Sequence, residues 1–248
     1  MSDLTQLHLT AIAEHSRGFS DATRGNLGAP VEHCPGWTVA DLVWHLTQVH
    51  WFWGTIAGER LAEPPDEARR PPRTSDDGLV EAFEAGARRL VEALRSADQA
   101  DSVWTWAPLQ QDVAFITRHQ VQEAAVHHWD AVHAAGSALA ISAPVAADSV
   151  EEFLTFSVSS EADPAEPARP ALDGEFALAA SDTEDAWTLL DGDIPGTLRF
   201  DRGRTDGVPA VTATASDLLL WLYGRVQLGT ATVPDDLVAR FRALCFTD

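Results

Sequence analysis

A glutamate and a histidine four residues apart, Glu123 and His127, lie in the run Glu123-Ala124-Ala125-Val126-His127-His128-Trp129-Asp130. On a helix this spacing sets them about 40° apart around the axis, one turn above the other. A third polar residue, His45, sits far upstream in an apolar stretch. Two histidines and one carboxylate are a ligand set for a catalytic divalent metal such as Zn2+, because three protein ligands leave one coordination position open. Plainer readings fit the same residues. An ExxxH pair also serves as a helix-stabilising surface pair, and a histidine on an apolar face as a hydrogen-bonded core residue.

The surroundings of these residues do not decide between the readings. His119, Glu123, His127 and Asp130 share a stripe about 80° wide, which a solvated helix face would also show. His119 is an alternative ligand or proton carrier, and Asp130 is placed to orient a ligand histidine. His50 and His128 read as hydrogen-bonded or surface residues, and Trp44, Trp51, Trp53 and Trp129 as core packing. Arg69, Arg70 and Arg73 read as a solvated cluster. Cys34 and Cys245, the two cysteines, read as small packing residues.

These side chains need helices to hold them. Residues from about Leu4 to Asn26 form a first helix, with Leu4, Leu7, Ile12 and Phe19 apolar. Thr38 is an N-cap with Asp41 three residues on, the spacing of a capping box. Leu42, Leu46, Val49 and Trp53 then share one face with His45. Glu63 to Asp77 is an exposed proline- and arginine-rich loop. A third helix carries Leu79, Phe83, Leu90 and Leu94, and a fourth runs from about Val113 to Ala135. Asp98 to Asp112, between them, is irregular, with Trp104 and Trp106 in a short extended piece. The sequence thus predicts a four-helix bundle with polar residues turned inward over residues 1–140.

Residues 141–248 change character. Ala143 to Val158 is helical, and Ser159 to Pro170 reads as a linker. Short β-like runs follow at Glu175 to Ala180, Ala186 to Leu190, Thr197 to Asp201 and Ala210 to Ala215. Helices at Ser216 to Leu228 and Pro234 to Leu244 complete a small α+β domain. The fold class is therefore α+β in two domains.

The net charge of −21 argues against nucleic acid and anionic membranes as partners. The chain has no lysine, which removes Schiff-base chemistry. No apolar run approaches a membrane span, and Met1-Ser2-Asp3-Leu4 does not open a signal peptide, so a cytoplasmic protein with reduced thiols is expected. The sequence does not fix the oligomeric state.

The run Cys34-Pro35-Gly36-Trp37-Thr38-Val39-Ala40-Asp41-Leu42-Val43-Trp44-His45-Leu46 resembles a signature of the mycothiol-dependent maleylpyruvate isomerase family. Glu123 to Asp130 is similar to that family's second signature, ending in His-x-Trp-Asp. Asp185 to Leu189 and Ala213 to Arg225 resemble its C-terminal domain. The resemblance implies a DinB-like bundle followed by a sterol-carrier-protein-like domain, with His45, Glu123 and His127 as metal ligands and Arg225 implicated in activity. It further implies mycothiol as a thiol cosubstrate, made nucleophilic by the metal, and a small electrophile such as maleylpyruvate as substrate. Isomerisation and S-transfer both follow from such chemistry. A non-catalytic DinB-like metal-binding module and a zinc hydrolase are the competing classes. Arg225, at the end of an apolar helix, reads either as a structural ion pair with a carboxylate or, on the functional reading, as a group that reaches across the domain interface toward the metal and takes a substrate carboxylate.

Overall fold

A computed structural model describes residues 2–159, 169–229 and 232–246. The chain divides into two compact units, Met1–Ala140 and Ile141–Asp248. Each has its own hydrophobic core, and the fold is α+β. No helix among the described residues is long and apolar enough to cross a membrane.

The first unit is a bundle of α1 (Asp3–Thr23), α2 (Val39–Glu59), α3 (Asp76–Ser96) and α4 (Val113–Ala134). The start of α2 is locally encoded. Asp41 Oδ2 accepts the Thr38 backbone N–H at 3.0 Å, and the Asp41 N–H returns to Thr38 Oγ1, completing the capping box. Leu42, Leu46, Leu79, Phe83, Leu90 and Leu94 are all buried. In α1 the inward stripe is Leu9, Ile12 and Phe19, whereas Leu4 is half exposed. The α1 stripe therefore starts at Leu9, not at Leu4 and Leu7; Leu9, Ile12, Ser16 and Phe19 follow the helical period more closely. Asp98 to Asp112 contains a single isolated bridge, Ser102 to Asp112, and no regular strand.

Helix directions follow from which residues meet. A Cβ at Gly54 would lie 3.5 Å from Leu90 Cα, and one at Gly58 would lie 3.6 Å from Ala93 Cβ, so α2 and α3 run parallel. The ring pairs His45–His127 and Trp53–Phe115 make α2 and α4 antiparallel. Phe19 meets Phe83 while Arg24 meets Glu81, so α1 opposes α3 and runs with α4. Parallel neighbours need a long return connection, and residues 60–75 supply it. This strap is pinned along α2: Arg69 pairs with Glu59, Arg70 lies over the Trp51 ring at 5.6 Å, and Arg73 pairs with Asp41 at 2.8 Å. The three arginines are exposed, as read, and each also has a partner on α2.

The second unit contains α5 (Ala143–Phe156), β1 (Phe176–Ala180), β2 (Ala186–Asp191), β3 (Leu198–Arg202), β4 (Ala210–Ala213), α6 (Ala215–Leu222) and α7 (Asp235–Ala243). The sheet order is β3-β2-β1-β4, with β1 antiparallel to β2 and parallel to β4. Phe176 pairs with Leu189 and Leu178 with Trp187, placing large side chains in the core. Phe241 of α7 packs on Phe176 and Trp221. Residues 160–168, most of the expected linker, lie outside the described residues.

The helix expected from Ser216 to Leu228 ends at Leu222. Gly224 adopts φ 74°, and its N–H bonds Trp221 O while the Arg225 N–H bonds Leu220 O. This pair of bonds is a Schellman motif, which needs a residue in the left-handed region just past the helix. Arg225 therefore stands beyond the helix end, where its Nη1 donates to Tyr223 O at 2.8 Å.

Candidate metal centre

Helix α4 is buried around most of its circumference, so its polar stripe is not a solvated face. His119 and Asp130 are buried, and the side chains of Glu123 and His127 are only 14% and 13% exposed. His45, from α2, meets them. Glu123 Oε2 lies 3.6 Å from His127 Nε2 and 3.9 Å from His45 Nε2, and the three ligand atoms lie within 4.8 Å of one another. The antiparallel packing of α2 on α4 is what brings them together.

Neither of those contacts is short enough for a hydrogen bond. Glu123 Oε2 is closed to solvent and has no hydrogen-bond partner in the described structure. Burial opposes its ionisation, but the positive charge that the neighbouring His45, His127 and His119 can carry lowers the carboxyl's pKa. An ionised, buried carboxylate oxygen without a hydrogen bond is costly unless a cation completes it.

The orientation of His127 points the same way. Its Nδ1–H donates to Asp130 Oδ2 at 2.9 Å, and the Asp130 side chain is fully buried. A carboxylate can only accept, so this bond fixes the tautomer and leaves the Nε2 lone pair directed at Glu123 and His45. The His45 ring is held by Trp37 at 5.1 Å between centroids, and the His45 side chain is 33% exposed. The group is therefore open on the His45 side. The donor set suits a borderline divalent ion better than Mg2+ or Ca2+, which favour oxygen throughout.

Other residues fall elsewhere. His119 is stacked on Phe115 and meets Trp53 and Trp106 edge-on, in an aromatic layer below the three ligands. His128 shares a 3.0 Å Nδ1–Nδ1 hydrogen bond with His15 of α1. His50, expected to be hydrogen-bonded or on the surface, is buried against Phe83 with neither ring nitrogen hydrogen-bonded. Burial lowers its pKa to about 4, so it is neutral. Trp53 and Trp129 are core residues, while Trp44 and Trp51 are half-buried.

Cys34 packs against the bundle core, as read, but its neighbours at the site were not foreseen. Its Sγ, a His127 ring nitrogen and an Asp130 carboxylate oxygen lie within 4.8 Å of one another. Its place in the loop leading directly into α2 was the available signal. No disulfide joins Cys34 to Cys245.

A family model, the mycothiol maleylpyruvate isomerase N-terminal domain, matches residues 9–132. That span is half of the chain and contains His45, Glu123 and His127. The chain belongs to this family. The mycothiol maleylpyruvate isomerase match covers the whole helical scaffold from within α1 to the last turn of α4, including both α2 and α4, which carry the three candidate ligands. Neither the curated proteins nor the solved structures provide a match to the chain.

Proposed function

We propose that the protein holds a divalent ion, zinc by preference, with His45, Glu123 and His127. With mycothiol as thiol cosubstrate, it would isomerise a small maleylpyruvate-like electrophile or transfer sulfur to it. The observation that carries this reading is the His127–Asp130 bond, which turns the imidazole so that Nε2 faces the buried Glu123 oxygen. When bound, the ion would supply a Lewis acid that lowers the pKa of a thiol reaching its open position.

The chain's own groups do the rest. Glu123 offers one negative charge to two neutral imidazoles, so a bound divalent cation keeps a net positive charge for an incoming anion. Asp130 and Trp37 fix the two rings. Access on the His45 side favours an enzyme over a metal-binding module without catalysis, since the latter needs no opening. Mycothiol, the cosubstrate that membership of the family suggests, is the proposed source of the thiol. Burial pushes the Cys245 thiol up to about 12, where it is not a nucleophile. Arg225 is the proposed group for a substrate carboxylate, because a guanidinium binds carboxylate with two parallel hydrogen bonds.

Cobalt-substituted protein titrated with mycothiol tests the reading. A sulfur-to-cobalt charge-transfer band should appear, persist in the Cys34→Ala, Cys245→Ala double variant, and be absent in His127→Ala. A protein that retains cobalt in His127→Ala, or shows no band at saturating mycothiol, would overturn it.

A further inference from the structure

A second group of ligand-type side chains lies outside the centre described above. Glu32, His33 and His133 present one ligand atom each within 4.8 Å of one another. Glu32 and His33 come from the loop before α2, and His133 from the last turn of α4. We propose that these three residues form a second, solvent-facing site for a borderline divalent transition ion such as Zn2+, Ni2+ or Cu2+.

The geometry is already close to that of a metal site. His133 Nε2 lies 2.8 Å from Glu32 Oε2. Two ligands about 2.0–2.2 Å from a tetrahedral ion stand roughly 3.5 Å apart, so an ion replacing the shared proton needs less than about 1 Å of movement. Glu32 has the freedom to move, since its side chain is 67% exposed. The imidazoles are braced instead. Trp129, itself buried, stacks on His133 at 4.6 Å with 10° between planes and meets the His33 ring at 5.6 Å. Two imidazoles and one carboxylate favour the later first-row divalent ions and zinc over Mg2+ and Ca2+. The site does not depend on the reading of His45, Glu123 and His127, because it shares no residue with them.

The experiment is equilibrium dialysis of chelator-stripped protein against micromolar Zn2+ or Ni2+, with bound metal measured by mass spectrometry. The His45→Ala, His127→Ala variant should retain one equivalent. Adding His33→Ala and His133→Ala to it should remove that equivalent, and Glu32→Gln, which keeps the size of the side chain, should weaken it. Circular dichroism checks that each variant keeps its helices. Absence of bound metal in the His45→Ala, His127→Ala variant would overturn the proposal, as would an equivalent that survives loss of His33 and His133. The inner group is tested by the converse variant: His33→Ala, His133→Ala should still bind one equivalent. If it binds none while His45→Ala, His127→Ala binds one, the reading of the inner group fails and this one stands.

Discussion

The carboxylate of Asp130, with no exposed side-chain surface, accepts the Nδ1–H of His127 at 2.9 Å. This contact sets which nitrogen of His127 faces Glu123 and His45. Asp130→Asn keeps the shape, removes the charge and can present an N–H to Nδ1. Metal affinity of the inner group should fall about 10- to 100-fold, the usual cost of losing a group that orients a ligand. Competition with a chromophoric chelator measures it, and unchanged affinity would remove Asp130 from that role.

Gly18 lets α1 pass close to α4. A Cβ there would sit 2.3 and 2.4 Å from His128 ring atoms. Gly18→Ala gains about 1 kcal/mol in helix propensity, but the ring must move and give up its bond to His15. Overpacking of this kind costs about 1–3 kcal/mol, so we expect a net loss of stability. A urea titration reads it, and a variant more stable than the parent would contradict the contact.

His15 and His128 also set a pH dependence. Burial lowers both from 6.5 to about 4, with the neighbouring His15 adding to the effect on His128. Between those values the unfolded chain binds protons that the folded chain does not, so stability must fall as pH drops from about 6.5 to about 4. Below that window both states are protonated and the slope from this pair ends. Melting temperatures of metal-stripped protein across this range should show the decline, and His15→Leu should make it shallower. An identical slope in the variant would exclude the pair as its source.

Arg225 tests the second unit. Arg225→Lys keeps the positive charge but loses the two-pronged geometry. Turnover of a dicarboxylate with mycothiol should weaken at unchanged metal content and near-unchanged melting temperature. A fall in melting temperature that accounts for the lost activity would make Arg225 a cap of the α6 terminus, where it already donates to Tyr223 O.

Features encoded within a few residues were legible in the sequence. The Thr38–Asp41 box, the run Leu79, Phe83, Leu90 and Leu94, and the short β-like runs that became β1 to β4 all rest on sequence-local signals. The Glu123/His127 spacing is of the same kind. What resisted reading depends on helix direction. Only once α2 runs parallel to α3 and against α4 does His45 reach Glu123, and only then do residues 32–34 lie beside α4. The arginines of the strap are exposed, as read, but their partners Glu59, Trp51 and Asp41 were not legible because they are set by the path of the strap along α2. The end of α6 is a different case. Gly224 carried a stop signal that the apolar run before it masked.

The pairing of α1 with α4 has a consequence for synthesis. His15 and His128 are 113 residues apart in the chain. Most helical bundles join neighbours in sequence and fold fast because their contacts are local. Here α1 leaves the ribosome with the face that carries His15 and Gly18 uncovered by α4 until more than a hundred further residues have been made. At about 5–20 residues per second that interval lasts several seconds or more. The nascent first helix is thus exposed to chaperones, and to aggregation, for longer than its short length would suggest.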